Sequence, residues 1–238
     1  MTTAIIIAGG SGKRMNSDIP KQFIEIEGKP IIIYTLSAFE RHPDVDQIVV
    51  ACIEDWIPSL WKYAKEIFPI KKLVAVVPGG TTGQLSCYNA LAALKGKAQP
   101  DDLVIVHDAI RPLVPQIIIS DLIRVAKEKG NACSSLPMHE TLIFTDNQSW
   151  GNRSLDRNLI RRVQTPQAYR FSDLLSVHES AMAQGITNSV YANTLMVDFG
   201  QTIHFSLGFD NNVKITTSED LTLFKALLKM DEKDLVKQ

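Results

Sequence analysis

Four apolar runs, AIIIA from Ala4, QIVVAC from Gln47, KLVAVV from Lys72 and LVIVHD from Leu103, lack the polar alternation of a strand with one wet face. Between and after them lie the helix-like runs PIIIYTLSAFER, WIPSLWKYAKEIF, LSCYNALAALK and PQIIISDLIRVAKEK. Strands that are apolar on both sides are buried on both faces, as a parallel sheet covered by helices requires. The pattern therefore predicts an α/β fold built on a doubly wound, mostly parallel sheet. In such sheets ligands bind beyond the carboxyl ends of the strands, where loops lead into helix N-termini. Gly9 to Lys21, Gly79 to Ser86 and His107 to Pro112 occupy those places after the first, third and fourth strands.

From Met138 to Gln164 the alternation lapses into HETLIFTDNQSWGNRSLDRNLIRRVQ, polar and rich in turn residues. This predicts a hairpin arm inserted at about 138–164 into a single domain spanning 1–238. The α/β pattern resumes with TPQAYRFSDLL, a strand near Thr202 to Ser206, and a last helix after VKITT. Thr217 or Ser218 can cap that helix, with Glu219 and Asp220 in its first turn favoured by the helix dipole.

Composition narrows the function more than the fold. Lys and Arg total 25 against 26 Asp and Glu, so no overall positive field points to nucleic acid or an anionic membrane. Any anion must be held locally. No run reaches the length of a membrane span, and the N-terminus lacks the basic segment and cleavage site of a signal peptide, so a cytoplasmic protein without membrane insertion is expected. Cys52, Cys87 and Cys133 are odd in number and set among apolar neighbours, which reads as buried free thiols in a reducing compartment.

The first loop, AGGSGKRM, is neither of two familiar phosphate motifs. Gly12-Lys13 is followed by Arg14 where a Walker loop needs Ser or Thr, and Met15 stands where a dinucleotide fingerprint needs its third glycine. Its physics still suits a polyphosphate, because glycines let backbone N–H groups approach an anion that Arg14 and Lys21 can neutralise. Pro20 stiffens the approach to Lys21. A glycine turn flanked by solvated cations would read the same way. His107, in a chain with five histidines and no paired metal spacing, reads as structural.

AGGSGKRM followed by PKQF, and then by GKP ahead of an apolar helix, resembles the opening of the cytidylyltransferases that make CDP-activated polyols. That family includes 2-C-methyl-D-erythritol 4-phosphate cytidylyltransferase and ribitol-5-phosphate cytidylyltransferase. GGTTGQLSCYNAL, VIVHDAIRP, LDRN, TPQAY and NNVKITTSEDL follow in the family's order at about its spacing, so the likeness runs nearly end to end. It implies a Rossmann-like nucleotidyltransferase fold with a protruding dimerisation arm, and a reaction in which a polyol phosphate oxygen attacks the α-phosphorus of CTP.

The resemblance also implies roles. Ala8, Gly9, Gly10 and Gly12 wrap the triphosphate, while Arg14 and Lys21 bind its oxygens and stabilise the transition state, with Lys214 near the phosphates. Gly79, Gly80 and Ser86 contact the nucleotide, Ser86 at the cytosine; read without the family, Ser86 is a helix cap. Asp108 is implied as a nucleotide contact and the ligand of Mg²⁺, and Arg111 as the binder of the substrate phosphate; the residues alone also read as a strand-end ion pair. Thr141, Arg157 and Thr165 are implied to line the acceptor pocket, Arg157 reaching in from the partner's arm, hence a homodimer.

Three departures bear on the acceptor. Gly83, followed by Gln84, stands where the family usually has arginine, Thr187-Asn188-Ser189 replaces a more acidic segment, and the first loop reads AGG instead of AAG. They favour D-ribitol 5-phosphate over methylerythritol phosphate as substrate, with CDP-ribitol as product. A nucleotide-binding regulatory protein without catalysis is the reading from another class, and Arg14, Lys21, Asp108, Arg111 and Lys214 together argue against it. A sugar-1-phosphate uridylyl- or thymidylyltransferase fits PKQF, HDAIRP and TPQ less well.

Overall fold

The structure, a computed structural model, describes residues 1–10, 19–146 and 149–230. In chain order its strands are β1 (Thr2–Ala8), β2 (Glu25–Ile26), β3 (Lys29–Pro30), β4 (Gln47–Cys52), β5 (Leu73–Pro78), β6 (Leu103–Asp108), β7 (Asn131–Pro137), β8 (Leu142–Phe144), β9 (Arg153–Leu155), β10 (Arg161–Arg170) and β11 (Phe205–Leu207). The helices are α1 (Ile31–Arg41), α2 (Ile57–Lys62), α3 (Gly83–Ala92), α4 (Gln116–Lys129), α5 (Phe171–Ala183), α6 (Ala192–Asp198) and α7 (Ser218–Leu227).

A seven-stranded sheet runs in the order β11-β7-β10-β6-β1-β4-β5. Its pairs are parallel except those made by β10, which lies antiparallel between β6 and β7. The doubly wound, mostly parallel sheet read from the sequence is therefore present. Successive side chains of a strand point to opposite faces. From β1, Ala4, Ile6 and Ala8 pack with Ile32, Leu36 and Phe39 of α1 and with Ile119 and Leu122 of α4. Ile5 faces the other way, into a core with Leu91 of α3, Leu174 of α5 and Leu195 of α6. Both faces of the strand are covered, which is why its sequence shows no alternation.

Beyond β1 the chain builds outward through β4 and β5, then returns to place β6 on the other side of β1. The crevice between β1 and β6 is thus the switch point of the sheet, where loops leave for opposite faces and a ligand can enter. Across it Ile7 pairs with Asp108.

Local chemistry sets the ends of these elements. Thr82 caps α3 by accepting from the Leu85 N–H at 3.1 Å. Thr217 and Asp220 form a reciprocal capping box at α7, so of the two candidate caps Thr217 is the one used. Gly130, at φ +90°, closes α4 in a left-handed conformation that a side chain disfavours.

Three details differ from the sequence reading. The helix expected over WIPSLWKYAKEIF is broken into a 3-10 turn, the short α2 and a π turn over Tyr63–Ile67. The strand expected near Thr202 to Ser206 lies at Phe205–Leu207. Within the expected arm, β8 and β9 do form an antiparallel hairpin, but Arg161 to Gln164 belong to β10 of the main sheet. Cys52, Cys87 and Cys133 are buried free thiols, and burial pushes each up to about 12. Among the described residues no helix is long and apolar enough to cross a membrane.

Candidate functional site

A cavity of about 250 Å³ opens at the carboxyl end of the sheet. Loops from non-adjacent strands meet there at backbone contact distance. A Cβ added to Gly79, after β5, would lie 3.0 Å from the Cα of Gly9, after β1. The Gly79 N–H donates to the Cys52 carbonyl at 2.6 Å, which ties that loop to the end of β4. Only glycine allows such an approach, and it leaves backbone N–H groups near the cavity mouth.

Ala8, Gly9, Gly10 and Lys21 line one wall. The Gln22 side chain, 1% exposed, donates to the Ala8 carbonyl at 2.7 Å and the Gly10 carbonyl at 3.2 Å. This fastens the glycine turn to the 3-10 turn Lys21–Phe23 and so fixes where Lys21 starts. Gly12 and Arg14 lie outside the described residues.

Gly80 and Ser86 line the opposite wall. The buried Ser86 hydroxyl accepts from the Gly80 N–H at 3.0 Å and donates to the Thr82 carbonyl at 2.9 Å. It therefore sits one turn into α3 as a lock on the glycine loop, and Thr82 is the cap.

At the floor, Asp108 ends β6 beside Thr165 and Lys214, all three lining the cavity. Its Oδ2 receives Arg111 Nε at 3.1 Å, Lys214 Nζ at 3.1 Å and, at 3.5 Å, the Thr165 hydroxyl. Burial raises the Asp108 pKa, but Lys214 and Arg111 outweigh it and hold the carboxyl below the usual range, so it is ionised at neutral pH. Arg111 is buried behind Asp108 and is not in the cavity wall; its Nη1 donates to the Asn212 carbonyl at 2.6 Å. The Asn212 amide in turn donates to the Thr165 carbonyl at 2.7 Å. His107 Nε2 lies 3.0 Å from the Arg111 carbonyl, which can only accept, so that nitrogen carries the hydrogen. Burial pushes this imidazole down to about 4, and it stays neutral.

Asp108 is the one carboxylate lining the cavity among the described residues, and no cluster of three or more metal-ligating side chains is found among them. A resident metal does not fit that donor set. A Mg²⁺ that arrives with a polyphosphate does, since Mg²⁺ takes one or two carboxylates and fills its octahedron with phosphate oxygens and water. The contacts of Asp108 fall on Oδ2, which leaves Oδ1 for such an ion.

Thr141 and Arg157 are not part of this wall. Both are exposed on the arm, where Arg157 donates to the His139 carbonyl at 2.9 Å. Gln22 and Asn212 carry the site's geometry without having been singled out from the sequence. Their only signal was membership of PKQF and NNVK.

The family description "IspD: 2-C-methyl-D-erythritol 4-phosphate cytidylyltransferase" matches residues 2–230. The chain belongs to this family. Among its relatives is a protein of Lacticaseibacillus paracasei named ribitol-5-phosphate cytidylyltransferase, 48% identical over 98% of this chain and 100% of that protein. A 2-C-methyl-D-erythritol 4-phosphate cytidylyltransferase of Geotalea uraniireducens is 37% identical over 95% and 96%. The crystal structure of 4-diphosphocytidyl-2C-methyl-D-erythritol synthase from Anaerococcus prevotii superposes with a TM-score of 0.82 at 23% identity, covering 96% of this chain and 98% of that one, a likeness of fold alone. The glycine cradle, the lysines and Asp108 are thus features of a cytidylyltransferase-family protein, a class of nucleotidyltransferase.

Proposed function

We propose that this protein transfers CMP from CTP to D-ribitol 5-phosphate, giving CDP-ribitol and pyrophosphate. The reading is carried by the meeting of the Gly9 and Gly79 loops, Lys21, Lys214 and Asp108 around one cavity. The choice of acceptor rests on whole-length identity of 48% to the relative named for ribitol 5-phosphate, against 37% to the Geotalea relative named for methylerythritol phosphate.

In this reading a phosphate oxygen of the acceptor attacks the α-phosphorus of CTP. The new oxygen–phosphorus bond forms as the bond to the β-phosphate oxygen breaks, and the electron pair leaves with pyrophosphate. No protein nucleophile is needed, so the protein's part is positioning and electrostatics. Gly9 and Gly10, with Gly12, cradle the triphosphate; Lys21 and Lys214, with Arg14, stabilise charge that builds on the phosphoryl oxygens. Gly80 and Ser86 shape the nucleotide side, and Thr165 the acceptor side. Asp108 holds Mg²⁺, which when bound neutralises phosphate charge. Arg111, behind Asp108, sets that carboxylate.

The reading extends to a homodimer in which Thr141 and Arg157 complete the neighbour's acceptor pocket. Its support is the arm itself, which exposes Ile143, Phe144, Trp150, Leu155 and Leu159, more apolar surface than an unpaired hairpin keeps in water. Three buried thiols suit a reducing cytoplasm.

The test is pyrophosphate release with CTP and Mg²⁺ on D-ribitol 5-phosphate, methylerythritol phosphate and glycerol phosphate side by side. Preference for ribitol 5-phosphate is expected. Preference for methylerythritol phosphate would move the protein to the isoprenoid branch of the family, and CTP binding without release from any acceptor would refute catalysis.

A further inference from the structure

Gly83 leaves the first turn of α3 without a side chain at its second-wall position, and a Cβ there would meet nothing within 4 Å. Its neighbours do the holding. The Thr82 hydroxyl donates to the Thr187 carbonyl at 2.6 Å, the Gln84 amide donates to the Ile186 carbonyl at 2.6 Å, and Gln84 Oε1 accepts from the Ser189 N–H at 2.8 Å. Gln84 is 4% exposed, so both ends of its amide are committed in a dry place. Three bonds therefore latch the loop after α5 onto the start of α3.

That loop delivers Tyr191 to the cavity. The Lys214 ammonium donates to the Tyr191 hydroxyl at 3.2 Å and lies 4.9 Å from the centre of its ring, while it also sits 3.1 Å from Asp108 Oδ2. A lysine stem with four rotatable carbons places its charge poorly when held at one point. Held by Asp108 and Tyr191, two of its three donors are fixed and the third is left for an anion in the cavity. Tyr191 is the one phenol in the cavity lining among the described residues.

We infer that Tyr191 is a positioning residue for Lys214, and that the Thr82–Gln84 latch on residues 186–189 holds Tyr191 where it can act. The inference rests on the phosphoryl-transfer reading above and goes beyond it, since it assigns work to a hydroxyl and a latch that the transfer itself does not require. The latch flanks Gly83 on the α3 side and grips the stretch from Ile186 to Ser189 on the other, with Tyr191 two residues farther on.

Tyr191→Phe keeps the ring and removes the hydroxyl. Losing a hydrogen bond to a charged donor that acts in the transition state should lower kcat on the order of ten- to a hundredfold, with KM for CTP changed less than about threefold. In a Lys214→Ala background the same substitution should have no further effect, because the group it positions is gone. In a crystal structure of Tyr191→Phe without substrate, Lys214 Nζ should leave its place beside Asp108. Should Tyr191→Phe fold poorly, Gln84→Ala, which loosens the latch and leaves the phenol, is expected to lower kcat in the same direction. Wild-type kcat in Tyr191→Phe, an equal loss with and without Lys214, or an unmoved Lys214 in the crystal would each overturn the inference. If the wild type released no pyrophosphate from any acceptor, the proposed reaction would fall, while the position of Lys214 in the variant crystal would still decide the role of Tyr191.

Discussion

His178 gives the protein a measurable weakness to acid. It sits on α5, 1% exposed, stacked at 6.4 Å on Tyr88, and neither ring nitrogen has a hydrogen-bond partner among the described residues. Burial pushes its pKa from 6.5 down to about 4. The unfolded chain therefore takes up a proton near pH 6.5 that the folded chain refuses until about pH 4, and between those values acid favours unfolding. Above about pH 7.5 the ring is neutral in both states and contributes nothing. At pH 5 the difference amounts to about 2 kcal/mol, and it approaches about 3.4 kcal/mol below pH 4.

The cleanest measurement compares wild type with His178→Phe, an apolar ring of similar size, by urea denaturation at pH 7.5 and pH 5. His107 and the carboxylates titrate alike in both proteins, so they cancel in the difference. The wild type should lose about 2 kcal/mol more than the variant between the two pH values, a midpoint shift of roughly 0.8 M for a slope near 2.5 kcal/mol per molar urea. Whatever the substitution does to packing appears equally at both pH values. Stability curves that run parallel from pH 7.5 to 5 would refute the reasoning, because they would mean that the ring reaches water or a partner in the folded state.

Asp108→Asn should abolish turnover and also destabilise, by about 3–5 kcal/mol, because it strands Arg111, with a side chain 10% exposed, and Lys214 without their shared counter-charge; the urea midpoint reads the second effect independently of activity. Gly80→Ala places a Cβ 2.2 Å from the Leu85 Cβ and 2.9 Å from its carbonyl carbon, so a loss of about 1–3 kcal/mol together with weaker CTP binding by calorimetry is expected. Gly83→Ala, three residues on, meets nothing and lies in a helical turn, so thermal unfolding should show a gain of about 0.4–1 kcal/mol.

How much of this could be read in the sequence follows from where each signal is stored. β1, β4, β5 and β6 announce themselves because burial on both faces leaves unbroken apolar runs. β7 and β10 do not: NACSSLP buries Ser134 and Ser135, and RRVQTPQAYR carries into the interior Gln164, Thr165 and Gln167, whose side chains make hydrogen bonds in place of apolar contacts. The apolar pattern lapses for a physical reason, and the sequence divides the antiparallel β10 between the arm, up to Gln164, and the resumed α/β pattern from Thr165. β11 is an edge strand of three residues, and its position is set partly by the Cys133 N–H donating to the His204 carbonyl, a bond that no local pattern records.

The same division runs through the site. Glycines, lysines and an aspartate that follow a strand are visible because their chemistry is unusual for their place: a glycine pair ends a run of isoleucines, and a cation follows a proline. The residues that hold them are ordinary amides and hydroxyls whose partners lie far along the chain. Arg111 reaches Asn212 across 101 positions, Gln84 reaches Ile186 across 102, and Gln22 works by donating to two backbone carbonyls. A carbonyl is present at every residue, so the sequence offers no sign of which one is used. Substitution at such a holder is accordingly where this protein's reaction can be slowed while every charged group stays in place, and Gln84 and Tyr191 are the positions where that separation between chemistry and placement can be measured.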